Sequence, residues 1–125
     1  MSGNTFFDLS RPRRIHVVGI GGPGMNAIAQ VLCEMGHQVS GSDIHESGVL
    51  DRLRALGVSI IVGHDASAVQ NCDVVTASTA IPVTNIELVA ATAQSVPVLS
   101  RAQMLSAICA LKQSVGVAGT HGKTT

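Results

Sequence analysis

The sequence predicts an α/β domain built on a doubly wound, mostly parallel sheet with helices on both faces. Short apolar runs alternate with segments of helical periodicity along nearly the whole chain, which is the pattern of parallel α/β domains. The runs are rich in β-branched residues and mostly apolar, as expected for strands buried on both faces. The chain has 125 residues, of which 46% are hydrophobic, and this is enough for one domain with its own core.

Six runs are predicted to be strands. Each is about four to six residues long with its flanks, which is too short and too β-branched for a helix. These runs are Ile15–Val18, Gln38–Ser40, Ser59–Val62, Asp73–Thr76, Val96–Leu99 and Val115–Ala118.

Helices are predicted between most of the strands. The first contains apolar residues at helical spacing from Met25 to Met35, and Gly36 then ends it. Thr84 and Glu87 have the spacing of a capping box, which predicts that Thr84 caps the helix that contains residues 88–94. Further helical patterns cover residues 49–56 and 104–111, and a turn or brief helix is expected at 65–69.

The composition argues against several classes of function. Eight basic residues balance eight acidic ones, whereas a nucleic-acid partner favours a basic face. The chain has no Trp or Tyr, so an aromatic platform for single-stranded nucleic acid is practically excluded. No apolar run approaches the roughly 18 residues of a membrane span. The three cysteines are widely spaced, which is typical of buried thiols in a reducing compartment. We therefore expect a cytosolic protein without nucleic-acid or membrane partners.

The loop after the first strand has the pattern of a phosphate-binding turn. Gly19, Gly21 and Gly24 fit G-x-G-x-x-G between a strand and a helix, where backbone N–H groups approach a pyrophosphate. Asp43 follows the second strand and could accept hydrogen bonds from ribose hydroxyls. A structural turn and an Asp that caps the next helix are the alternatives. The two loops indicate a nucleotide diphosphate, but a nicotinamide dinucleotide and a nucleotide sugar fit equally well.

The last seven residues carry a second phosphate-binding pattern. Gly-Lys-Thr at 122–124 is the core of a P-loop, in which the Lys reaches the terminal phosphates and the Thr hydroxyl holds Mg²⁺. The general pattern asks for Gly at position 117, where this chain has Val117. The loop is therefore a variant, and the general pattern alone does not decide its function.

These motifs together resemble a known family. The segment 119–125, Gly-Thr-His-Gly-Lys-Thr-Thr, is similar to the ATP-binding signature of the Mur ligases, which are ATP-dependent amide-forming enzymes of peptidoglycan synthesis. Residues 16–25, 40–43, 78–81 and 100–105 also fit that family. The first loop, Gly-Ile-Gly-Gly, favours the branch that acts with L-alanine over the muropeptide-recycling branch, which typically has a Cys there.

The resemblance implies a domain organisation and a ligand. Residues 1–118 would form a Rossmann-like domain that binds UDP-N-acetylmuramate, and residues 119–125 would open an ATPase domain. The glycine loop would hold the diphosphate, and residues 42–44 would contact the uridine end. The implied UDP-sugar-binding residues are Gly19, Gly21, Gly22, Gly24, Met25, Ser42, Asp43, Ile44, His64, Ser78, Thr79, Ala80, Ile81 and Arg101.

The resemblance also implies what the parent enzyme would use. The parent enzyme would use ATP and L-alanine as its other substrates, with Mg²⁺ as the metal cofactor. The 125 residues alone would need no cofactor and would be inactive. Lys123 would stabilise the transferring phosphoryl group, and Thr124 would hold Mg²⁺. The implied ATP-binding residues are Gly119, Thr120, His121, Gly122, Lys123, Thr124 and Thr125.

Two other interpretations remain open from the residues. The glycine loop and Asp43 would also suit a nicotinamide-binding module of an oxidoreductase or an NAD sensor, and a third possibility is a non-catalytic interaction domain. The remaining histidines suggest no site. In particular, His16 at the start of the first strand is expected to be a packing or edge residue.

Overall fold

The computed structural model describes residues 7–119, and the side chains of residues 7–111. It contains five strands, four α-helices and one 3₁₀ helix. In chain order these are β1 (Arg14–Val18), α1 (Pro23–Glu34), β2 (Gln38–Asp43), α2 (Gly48–Ala55), β3 (Ser59–Val62), the 3₁₀ helix (Ala66–Val69), β4 (Val74–Ala77), α3 (Ile86–Ala93), β5 (Val98–Ser100) and α4 (Arg101–Gly119).

The strands form one sheet in the order β3-β2-β1-β4-β5, and every pair is parallel. β1 lies at the centre, where Ile15 pairs with Val39 of β2 and with Val74 of β4. The chain first winds outward through β2 and β3 and then returns to the other side of β1. This reversal leaves a crevice at the carboxyl ends of β1 and β4. The predicted doubly wound parallel sheet is confirmed.

The two faces of the sheet are covered unequally. Alternate residues of β1 point to opposite faces, so Ile15 and Val17 enter a large cluster with apolar residues of α1, α2 and α4. Val18 enters a smaller cluster with the 3₁₀ helix and α3. Helices therefore cover both faces, as predicted, but within residues 7–119 a single α-helix covers the second face.

The edge strands are more exposed than the sequence suggested. β3 is an outer strand, and Ile61 and Val62 are 36% and 48% exposed. Only the four-residue 3₁₀ helix connects β3 to β4, so the crossover is too short to cover that part of the sheet. At the other edge, Val98 of β5 is 38% exposed. The prediction of burial on both faces holds for β1 and β4 and is wrong for β3 and β5.

Two predicted details of the helices are wrong. The N-cap of α3 is Asn85, whose side-chain oxygen accepts a hydrogen bond from the N–H of Glu87 at 2.9 Å. Thr84 is therefore not the cap, and no capping box forms because the Glu87 carboxylate is buried elsewhere. The predicted strand Val115–Ala118 lies inside α4. A strand needs a neighbour for its backbone hydrogen bonds, whereas a helix satisfies them internally.

Within the described residues, none of the helices has the length and apolar character needed to cross a membrane.

Candidate functional site: a glycine loop and cleft at the carboxyl edge of the sheet

The glycine loop is a tight turn attached to the end of β2. Gly19 has φ of +76°, a conformation that side chains with a Cβ rarely adopt. The N–H groups of Gly19 and Ile20 both donate to the carbonyl oxygen of Ser42, at 2.8 and 3.0 Å, and the N–H of Gly22 donates to the carbonyl oxygen of Gly19 at 3.1 Å. The loop backbone is thus held where β1 and β2 end.

Asp43 joins the first two loops through its carboxylate. The N–H of Gly21 donates to Oδ2 at 2.9 Å, and the N–H of His45 donates to Oδ1 at 3.0 Å. A Cβ on Gly21 would lie only 2.8 Å from Oδ2, so a larger residue at this position would push the Asp43 carboxylate out of this hydrogen bond. The N-cap of α2 is Ser47, which contradicts the alternative that Asp43 caps that helix. Each carboxylate oxygen keeps a further lone pair for a ribose hydroxyl.

The first turn of α1 is open and faces a positive charge. Its N-cap is Gly22, which has no capping side chain, and the first turn contains no acidic residue. The N–H groups of a first helical turn have no partner within the helix and favour an anion. Arg101, the first residue of α4, lies directly over Gly24, because a Cβ there would collide with the guanidinium. The N-terminus of α1 and the guanidinium of Arg101 together are suited to bind a phosphate.

Three of the predicted segments line one cleft of about 510 Å³. They are the start of α1 at residues 22–25, the loop after β4 at residues 78–80, and the turn from β5 into α4 at residues 100–102. Ile81 also approaches the glycine loop, since a Cβ on Gly19 would lie 3.1 Å from its Cδ1. Two other cavities, of about 230 and 350 Å³, lie at the amino ends of the strands, away from these loops.

The remaining predicted residues lie beside β2 and β3. Ile44 is 61% exposed and free to contact a ligand. The side chain of His64 is 19% exposed, and its Nδ1 lies 3.2 Å from Oγ of Ser42. Ser42 is fully buried, so any influence of its side chain on a ligand has to pass through its neighbours. The binding roles of these residues stay predictions.

Sequence reasoning missed Glu87, which is fully buried in α3. Its Oε1 accepts hydrogen bonds from Oγ of Ser42 at 2.6 Å and Nε2 of His16 at 2.9 Å. Its Oε2 accepts one from the N–H of Asp65 at 2.9 Å and lies 3.5 Å from Nδ1 of His64. Burial by itself raises the pKa of Glu87, but the bonds from His16, Ser42 and Asp65 together prevail and lower it.

His16 belongs to the same network and is not an edge residue. It is fully buried in the central strand, and its Nδ1 lies 2.8 Å from Oγ of Ser40. The sequence offered no signal for this arrangement, because 71 positions separate His16 from Glu87. We call the side chains of Ser40, Ser42, His16, His64 and Glu87 the buried polar network.

The second phosphate-binding pattern is almost entirely outside the described residues. Gly119 is the last residue of α4. Thr120 to Thr125, including Lys123 and Thr124, lie outside the described part of the chain. The predicted ATP-binding loop and its Mg²⁺ ligand therefore stay predictions.

A doubly wound parallel sheet with a glycine loop at its switch point defines the chain as a Rossmann-like domain. Comparison with known proteins specifies it further. Residues 14–113 match the model of the Mur ligase family, catalytic domain. The chain belongs to the Mur ligase family.

Individual relatives agree with this assignment. The chain is 52% identical over 113 residues to UDP-N-acetylmuramate–L-alanine ligase of Burkholderia multivorans, covering 90% of this chain and 24% of that protein. Among solved structures, UDP-N-acetylmuramate-alanine ligase of Thermotoga maritima is 33% identical with a TM-score of 0.69, covering 90% of this chain and 27% of that one. The murein peptide ligase of Psychrobacter arcticus is 28% identical with a TM-score of 0.68, covering 75% and 20%. The chain spans about a quarter of the length of the curated relatives that it matches.

Proposed function

We propose that the chain is the UDP-N-acetylmuramate-binding domain of an ATP-dependent ligase that joins L-alanine to this nucleotide sugar in peptidoglycan synthesis. The observation that carries the proposal is the 52% identity, over 90% of the chain, to a relative named for that reaction. Among the solved structures, the identity is 33% to the alanine ligase and 28% to the murein peptide ligase. The shared segment is the one that contains the glycine loop and the 510 Å³ cleft.

The geometry of the carboxyl edge supports a division of the ligand between two regions. The diphosphate suits the open first turn of α1, because Arg101 lies over Gly24 and adds a positive charge to the helix end. The uridine suits the side of β2 and β3, where Asp43 has spare lone pairs and Ile44 offers apolar surface. The sugar would then extend along the loop that contains Ser78, Thr79 and Ala80.

The other substrates belong to the proposal for the whole enzyme. ATP would phosphorylate the lactyl carboxylate of the nucleotide sugar, and the amine of L-alanine would attack the acyl phosphate. Lys123 and Thr124 would serve the ATP and Mg²⁺ in that reaction. Since this chain covers about a quarter of its relatives, we expect it to bind the nucleotide sugar without hydrolysing ATP. A cytoplasmic location also stays a prediction.

Calorimetry with the 125-residue chain tests the proposal. UDP-N-acetylmuramate should bind, and UDP should bind more weakly because it lacks the sugar contacts. Thermal-shift measurements with NADH serve as the comparison, because a nicotinamide-binding module would have the same fold and glycine loop. Stabilisation by NADH but not by the UDP-sugar would overturn the proposal in favour of that alternative. A folded chain that binds neither UDP nor the UDP-sugar would also contradict it.

A further inference from the structure

We infer that Glu87 is a positioning residue, which fixes the proton of His64 on Nδ1 and so leaves Nε2 as a hydrogen-bond acceptor for the nucleoside. The inference rests on the proposed function for the identity of the ligand. The position of the His64 proton follows from contacts within the protein alone. Glu87 itself is fully buried and would not touch the ligand.

The direction of the hydrogen bonds begins at the Glu87 carboxylate. An ionised carboxylate can only accept hydrogen bonds, and the lowered pKa of Glu87 favours its ionised form. At 2.6 Å from Oε1, the hydroxyl of Ser42 must therefore donate its single proton to Glu87. Ser42 has then no proton left for any other neighbour.

The direction of the Ser42 bond also determines the direction of the bond between Ser42 and His64. Nδ1 of His64 lies 3.2 Å from Oγ of Ser42, and this oxygen can now only accept. Nδ1 must be the donor and therefore carries a proton. Oε2 of Glu87, 3.5 Å from the same nitrogen, favours the same arrangement electrostatically. In a neutral imidazole the other nitrogen, Nε2, is then unprotonated and accepts.

Backbone hydrogen bonds also hold the loop that carries His64 in place. The N–H of the next residue, Asp65, donates to Oε2 of Glu87 at 2.9 Å. The N–H of Gly63 donates to the carbonyl oxygen of Asp43 at 2.7 Å. The loop is thus attached on both sides of His64, whose side chain remains 19% exposed beside the end of β2. Within the described residues, Nε2 has no hydrogen-bond partner in the protein.

An acceptor at this place selects a hydrogen-bond donor on the ligand. The uridine part of the proposed ligand carries two kinds of donor, the imide N–H of the base and the hydroxyls of the ribose. N3-methyl-UDP lacks the imide N–H, and 2′-deoxy-UDP lacks one of the two ribose hydroxyls. A loss of affinity with one analogue that disappears in the His64→Ala variant identifies which group meets Nε2.

The state of the His64 ring can be measured without any ligand. Long-range ¹H–¹⁵N correlation spectra of the 125-residue chain near neutral pH distinguish the two neutral tautomers. We expect the Nδ1–H form in the wild type. Glu87→Gln introduces an NH₂ donor beside Ser42, which releases the Ser42 proton, so that the Nε2–H form should become populated. Asn85→Ala is the control, because it removes the cap of α3 but keeps the carboxylate. A wild-type ring in the Nε2–H form would overturn the inference whether or not a variant folds.

A double-mutant cycle then tests whether Glu87 acts through His64. Glu87→Gln should weaken UDP binding by about fivefold, the contribution of one net hydrogen bond. In a His64→Ala background the same change should have no further effect on affinity. Equal losses in both backgrounds would show a general structural role and contradict the inference. If wild-type chain in the expected tautomer did not bind UDP, the proposed function would fail, whereas the effect of Glu87 on His64 would stand.

Discussion

Two regions of the domain meet at the end of β2. One presents backbone groups to solvent, and the other consists of buried polar side chains. The glycine loop and its cleft are open to solvent. Backbone hydrogen bonds hold the loop, and Arg101 is the charged side chain among the residues that line the cleft. The buried polar network lies beneath the neighbouring loop and consists of side chains held by Glu87. Backbone N–H groups can bind an anion without burying a charged side chain. In the buried polar network, by contrast, every hydrogen bond to Glu87 is needed to offset the free-energy cost of burying its carboxylate. We therefore expect mutations in the first region to affect mainly binding. Mutations in the second should affect mainly stability, and the smaller effect of Glu87 on binding should pass through His64.

The largest expected effect is the loss of stability in Glu87→Ala. This change leaves the buried side chains of His16 and Ser42, and the partly buried N–H of Asp65, without their acceptor. We expect a cost of about 3 kcal/mol or more in the free energy of unfolding. Urea denaturation measures it. Glu46→Ala is the control, because Glu46 forms an exposed ion pair with Arg54 and such pairs contribute little. Equal stability of the two variants would show that the network is not what stabilises this face.

Gly21→Val should damage binding more than stability. Its Cβ would lie 2.8 Å from Oδ2 of Asp43, so the tie between the loops would break and the loop would move away from the diphosphate. We expect UDP affinity to fall by about tenfold or more, which corresponds to roughly 1.4 kcal/mol. Gly48→Ala is a matched control, because a Cβ there meets open space. Unchanged affinity in a folded Gly21→Val variant would remove the loop from the site.

Arg101→Ala should weaken binding by a smaller factor and change its dependence on salt. The guanidinium beside the first turn of α1 contributes charge to the phosphate site, and ionic strength screens such a contribution. Calorimetry with UDP at low and high salt should show about a fivefold loss at low salt and a weaker salt dependence than in the wild type. Arg52→Ala, on the exposed side of α2, should change neither quantity. Equal losses from both variants would indicate only a general effect of net charge.

The smallest expected effect is a change of the unfolding free energy with pH, caused by protonation of the Glu87 carboxylate. Its pKa in the folded protein lies below the ordinary value of 4.5, so ionised Glu87 stabilises the fold above that pH. This contribution decreases as the pH falls through the folded-state pKa, where the folded protein also takes up the proton. The difference in unfolding free energy between the wild type and Glu87→Gln should shrink between pH 5 and more acidic values. A difference that is constant over this range would contradict the assignment of the pKa shift.

Both regions have local sequence patterns, but only one pattern predicted the correct structure. Gly19, Gly21 and Gly24 form a local motif between a strand and a helix, and the turn follows from the conformational freedom of glycine. Thr84 and Glu87 also form a local motif, but the burial of the Glu87 carboxylate prevented the capping box. The Glu87 carboxylate instead accepts hydrogen bonds from His16 and Ser42, and no local pattern reveals these partners.

The sequence by itself determined the alternation of strands and helices, the parallel sheet and the position of the glycine loop, because these depend on local periodicity and on glycine. Tertiary structure decided which strands became exposed edges, that residues 115–118 continue α4, and that Asp43 holds Gly21. It also decided that His16 and Glu87 meet across 71 positions. Long-range hydrogen bonds and burial depend on how the strands are ordered in the sheet, and strand order is a property of the folded chain.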